Sequence, residues 1–174
     1  KIAGLALALE DFSLDMPRVQ APVLVLWGGR DAIAPLRNGR VLAANLPHQG
    51  SMSLLDEIVA WDATRLEARA RRHRAPDHPL RRGSELPIAS AIEYGAQAAA
   101  AHGALLASRA SGPGMLVAVR SVVFHAARLD DVAADLDVAV EALGGGDSGV
   151  MYRFTVGAAG RPLAEGRLTV AFVR

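Results

Sequence analysis

The 174-residue sequence contains no cysteine. A disulfide framework, a thiolate metal site and a cysteine nucleophile are therefore excluded, and a cytoplasmic address is the natural expectation. Aromatic residues are scarce, at 5% of the chain, and none interleaves the arginines of Arg71–Arg82, which leaves little for nucleic-acid bases to stack on. Charge of one sign is also missing. Nineteen basic side chains face eighteen acidic ones, for a formal net charge of +1, whereas a phosphate backbone calls for a one-sided basic surface. No run of 18 apolar residues occurs without a charge, so no membrane span is expected. The opening Lys1–Leu9 imitates a short signal peptide, yet it lacks a multiply charged start and Glu10 and Asp11 follow at once. Five histidines are present without the tight spacing of a helical metal pair, and neither a metal nor a cofactor is expected.

What is present is a globular composition, 51% apolar and 21% charged. Two characters meet near Leu46-Pro47. Residues 1–45 form an N-terminal extension. In it, Ala21–Trp27 is a continuous apolar run that reads as a buried strand, and Leu36–Asn45 has helical spacing. Residues 20–47 resemble a truncated late segment of an α/β-hydrolase, with Asp31 in the loop after the strand. The Gly-x-Ser-x-Gly elbow of that fold is absent from the whole chain, so Asp31 reads as a turn residue.

Beyond Leu46 the pattern is α+β. Ser53–Trp61 and Thr64–Arg72 read as strands, the second alternating charged and apolar positions. His73–Leu86, with two prolines and Gly83, reads as a crossover. Pro87–Leu106 reads as a helix with Ile88, Ala91, Ile92, Ala96, Ala99 and Ala100 on its apolar face and little bulk elsewhere. Four strands follow, Met115–Leu129, Asp135–Leu143, Val150–Val156 and Leu163–Val173, with turns at Gly144–Gly149 and Gly157–Arg161. The economical packing is one curved antiparallel sheet wrapped around that helix. Such a sheet leaves an open side and exposed edges, which predicts a dimer.

Glu93 is the one carboxylate between Pro87 and Leu129, on an otherwise apolar helix. Burial there predicts a pKa raised towards neutrality, as a general acid needs; the alternative is a solvent-facing helix position. Gln97 lies one turn later on the same face and could orient Glu93 or a water. Arg71, Arg72, Arg74, Arg81 and Arg82 form a basic cluster, either a solvated loop or a landing patch for an acidic partner.

Residues 46–174 resemble the hotdog-fold β-hydroxyacyl-[acyl-carrier-protein] dehydratases, and within them the aryl-polyene type. The likeness lies in Leu46-Pro-His-Gln-Gly-Ser-Met-Ser-Leu-Leu-Asp56, in His73-Arg-Ala-Pro-Asp-His-Pro-Leu-Arg81 and in Leu86-Pro-Ile-Ala-Ser-Ala-Ile-Glu-Tyr-Gly-Ala-Gln97. It implies a hotdog fold and elimination of water from a 3-hydroxyacyl group on the phosphopantetheine arm of an acyl carrier protein, in fatty-acid or polyene biosynthesis. It also implies a homodimer, or a heterodimer with another hotdog subunit. Glu93 would be the acid. The base would be His48, His78 or His73; the last two precede Glu93 by 15 and 20 residues. The Gly-His-Phe-Pro-Gly motif of the better-known dehydratases is absent, and Ile88 stands where they carry glycine after the helix-start proline, so Pro87 and Ile88 would line a tighter thioester site. Two other activities fit the same residues: a hotdog thioesterase, with Glu93 activating water, and a non-catalytic partner subunit.

Overall fold

The structure, a computed structural model, describes residues 52–106, 114–146 and 148–172. The N-terminal extension with its hydrolase-like segment, and His48, lie outside the described residues. Six strands form one antiparallel sheet in the order β1-β2-β4-β5-β6-β3. They are β1 (Glu57–Trp61), β2 (Arg65–Ala70), β3 (Gly114–Phe124), β4 (Leu136–Gly146), β5 (Gly149–Ala158) and β6 (Arg161–Phe172). One helix, α1 (Ala91–Leu106), lies in the concave side and packs chiefly against β2, β4, β5 and β6. This is the curved sheet around a central helix of the hotdog fold.

Period-two alternation explains the layering. Leu66 and Ala68 of β2, Val138 and Val140 of β4, Phe154 and Val156 of β5, and Leu168 of β6 all point inward and are buried. Asp62 ties the β1–β2 turn, its Oδ1 accepting from the N–H groups of Thr64 (2.7 Å) and Arg65 (2.9 Å). Ala159 and Gly160, both at positive φ (50° and 76°), make a two-residue β5–β6 turn.

Several strand ends differ by a few residues from the sequence reading, and four boundaries are of structural interest. The first strand begins at Glu57 instead of Ser53, because Met52 and Leu54 bond to the Gln97 side chain on α1. The third strand ends at Phe124. Its continuation pairs with the helix entry: Ile88 N–H donates to the Ala127 carbonyl (3.0 Å) and Leu129 N–H to that of Leu86 (2.9 Å). The helix starts with a 3₁₀ turn, Ile88–Ser90, before the α geometry at Ala91. The fourth strand runs on through the glycines to Gly146, past a bulge at Ala142/Gly144.

The buried side of α1 departs in part from the expected face: Ile88, Ala91 and Ala99 are buried as expected, whereas Ile92, Ala96 and Ala100 are not. It runs through Ala91, Tyr94, Gly95, Ala98, Ala101 and His102. Gly95 sets this rotation, since a Cβ there would stand 2.8 Å from Cγ of Phe154. Ile92, Glu93 and Ala96 are only half-buried and Ala100 is exposed, so an arc of small and apolar residues around Glu93 is left open. At one edge of the sheet, β3 exposes Met115, Leu116, Val117, Val119, Val123 and Phe124.

Candidate active site

Glu93 stands in the first turn of α1, on the open arc. Its Oε1 accepts from Gln97 Nε2 at 3.0 Å. Gln97 is 6% exposed and its amide is fully engaged: Nε2 also donates to the Met52 carbonyl (2.9 Å), and Oε1 accepts from Leu54 N–H (3.0 Å). The two backbone partners fix which end of the amide is nitrogen. Gln97 thus aims a donor at Glu93 while holding the segment that leads into β1.

The described histidines are all committed elsewhere. His78 is 7% exposed. Its Nδ1 accepts from Leu80 N–H (3.3 Å), so Nε2 carries the proton and donates to the Tyr94 hydroxyl (2.9 Å). Burial, with Arg72, Arg81 and His73 nearby, holds the imidazole below its ordinary pKa and neutral. Burial likewise pushes the Tyr94 phenol up, so it stays protonated. His73 donates from Nε2 to the Val132 carbonyl (2.9 Å), and its buried Nδ1 has no hydrogen-bond partner. His102, fully buried, bonds the Asp62 carbonyl through Nε2 (3.0 Å) and the Tyr152 hydroxyl through Nδ1 (3.1 Å). His125 pairs with Glu165 at 3.2 Å, both exposed. The structure therefore brings Glu93 and Gln97 together and places His78 against Tyr94, the next helix residue. No described imidazole hydrogen-bonds to Glu93. Pro87 bridges to Arg128, and the N–H of Ile88 is spent on Ala127.

Tyr94 is the site residue that sequence reasoning missed. A phenol on an alanine-rich helix is the available signal, because a buried tyrosine hydroxyl needs a partner. The basic cluster also resolves. Arg71 pairs with Glu57 (2.6 Å) and Asp135 (3.2 Å), and Arg72 bonds the Ser53 carbonyl (2.6 Å) and faces Asp56. Arg81 turns inward to the carbonyls of Ala75, Arg74 and Ser84 and towards Asp130. Arg74 and Arg82 are exposed and form no ion pair among the described residues. Those residues hold no cluster of three or more His, Asp or Glu able to bind a metal, and no described helix is long and apolar enough to cross a membrane.

Comparison of the whole chain with known families identifies one that spans most of its length. The family model for the ApeP dehydratase matches residues 41–173. The chain belongs to the ApeP-like dehydratase family. Among solved structures it is similar to the dehydratase heterocomplex ApeI:P from Xenorhabdus doucetiae, with 22% identity and a TM-score of 0.66 over 74% of this chain and 88% of that one. A mutant thioesterase from Pseudomonas aeruginosa has 18% identity and a TM-score of 0.59, covering 86% of this chain and 99% of its own. A thioesterase from Haemophilus influenzae has 14% identity and a TM-score of 0.57, covering 86% and 96%. At these identities the structural likeness establishes the hotdog fold alone. No curated protein sequence matches the chain.

Proposed function

We propose that this ApeP-like chain contributes the carboxyl group to a dehydratase acting on 3-hydroxyacyl thioesters carried by an acyl carrier protein, in polyene- or fatty-acid-type biosynthesis in the cytoplasm. The observation that carries the reading is Glu93 on the open arc of α1, held by Gln97 at 3.0 Å among Ile92, Ala96 and Ala100. Elimination needs a base to take the α-proton, stabilisation of the charge growing on the thioester oxygen, and an acid to protonate the departing hydroxyl. Glu93 is the acid: its proton leaves with the hydroxyl as water, and the Cα–Cβ single bond becomes double. The base is His48, on the segment leading to Met52, or an imidazole of a second hotdog subunit; His78, with both nitrogens engaged, acts through Tyr94 as a positioning residue. His73, Pro87 and Ile88 shape the wall of the thioester site. The free guanidiniums of Arg74 and Arg82 suit an acidic carrier. The exposed apolar edge β3 and the open arc support a second hotdog subunit, in line with the heterocomplex among the structural relatives.

A thioesterase reading is supported by one specific observation, a Gln97-held carboxylate able to orient water. Product analysis separates the two. With a 3-hydroxyacyl carrier substrate, the assembled enzyme is expected to release an enoyl thioester, and Glu93→Gln to lower the rate by about 100-fold or more with an unchanged thermal melt. A free acid as product, or an active Glu93→Gln variant, overturns the assignment.

A further inference from the structure

The outward face of the sheet carries a row of charge that crosses five strands. Register places Arg65 of β2 opposite Glu141 of β4, Glu141 opposite Arg153 of β5, Arg153 opposite Arg167 of β6, and Arg167 opposite Arg120 of β3. All five are exposed. Arg153 is balanced by Glu141 at 2.6 Å, and Arg65 by Glu67 at 2.7 Å. Glu165, two residues from Arg167 along β6, pairs with His125. Arg120 and Arg167 stand directly opposite each other with no carboxylate partner among the described residues. Opposed like charges on neighbouring strands, about 5 Å apart, are destabilising. Arg120 lies on the edge strand β3, whose other exposed side chains are apolar except for Ser121.

We propose that the Arg120–Arg167 pair makes β3 an edge that disfavours a second copy of this chain and accepts instead a hotdog subunit whose edge strand presents a carboxylate opposite Arg120. The inference rests on the reading of β3 as the subunit edge and concerns which partner it selects. Two copies joined antiparallel about a two-fold axis pair mid-strand with mid-strand. Arg120 lies one residue from the middle of Gly114–Phe124, so a centred register brings the two Arg120 side chains directly or diagonally opposite, within about 8 Å. The row then has six arginines in succession at its centre, Arg153, Arg167, Arg120 and their copies, with Glu141 and Arg65 of each chain outside them. Apolar burial drives strands together at this edge, and the arginines decide with whom. A carboxylate from another chain would close the row with alternating charge.

The test uses this chain alone. Wild-type protein is mixed with its Arg120→Glu variant, and self- and mixed pairs are quantified by native mass spectrometry and sedimentation equilibrium. At about 50 mM salt the mixed pair is expected to be at least about tenfold tighter than the wild-type self-pair, and the preference to vanish near 1 M salt, where charges are screened within about 3 Å. Arg167→Glu, which sets a carboxylate beside Arg120 within one chain, is expected to strengthen self-pairing and covers the case of an unfolded Arg120→Glu. A wild-type self-pair as tight as the mixed pair, or no mixed pair at submillimolar concentration, overturns the inference. The readout is assembly, so failure of the dehydratase reading would show separately, in turnover.

Discussion

Both tyrosines of the chain are buried, and each holds an imidazole: Tyr94 with His78, Tyr152 with His102. The first pair has a pH consequence. His78 is neutral in the folded protein, with its pKa pressed below 6.5 by burial first, then by Arg72, Arg81 and His73; Asp77 acts the other way. The unfolded chain, with an ordinary imidazole, binds more protons in the window between that lowered pKa and 6.5. Its contribution to stability is therefore complete above 6.5 and is lost as pH falls through the window. Urea unfolding from pH 8 to 5 should show wild type losing more stability than His78→Gln; equal slopes would remove His78 from the account. The Glu93–Gln97 pair, by contrast, was legible at this scale, because i,i+4 spacing on a helix is a local property. The tie between Gln97 and Met52 and Leu54 was not, since it joins residues more than 40 positions apart.

At the scale of elements, α1 is set by how closely the sheet approaches it. Gly95 receives the Phe154 ring, whose Cβ, Cγ and Cδ2 all stand within 2.9 Å of the Cβ that any other residue would add. Gly95→Ala gains helix propensity of about 1 kcal/mol but forces the buried ring and sheet apart, an overpacking that costs about 1–3 kcal/mol. A net loss in Tm is expected, and a melt equal to or above wild type would show that the ring can move aside. The crossover from β2 to α1 is held by charge as well. Asp130 accepts from Arg128 and from Leu86 N–H (2.8 Å), and these contacts keep its carboxyl well below the usual carboxylate range. The sequence showed this stretch as an irregular crossover but not its anchors, because Arg81, half-buried and bonded to three carbonyls, looks in one dimension like any other arginine of a basic loop.

For the whole molecule, one sheet around one helix leaves α1 half-covered and the outer edge of β3 without a neighbouring strand among the described residues. Edge strands of this length and apolarity are normally paired or protected. The purified chain alone is expected to show little dehydratase turnover, and a hotdog subunit that supplies an imidazole to restore it by about 100-fold or more. Full turnover by a monomer would place the whole reaction within this one chain.

The amino-acid sequence by itself determined the class of structure and the pairing of Glu93 with Gln97. Alternation in β2, β4, β5 and β6, the alanine-rich helix and the Glu93–Gln97 spacing are all written within a few residues of chain, where period and propensity act. Only the tertiary structure decided which side of the helix is open, which histidines are tied down and where the arginines align. Those outcomes depend on register and close approach between distant segments: Phe154 against Gly95, His78 against Tyr94, Arg167 opposite Arg120. No local pattern encodes such contacts, because each is fixed by the packing of two elements and not by the composition of either.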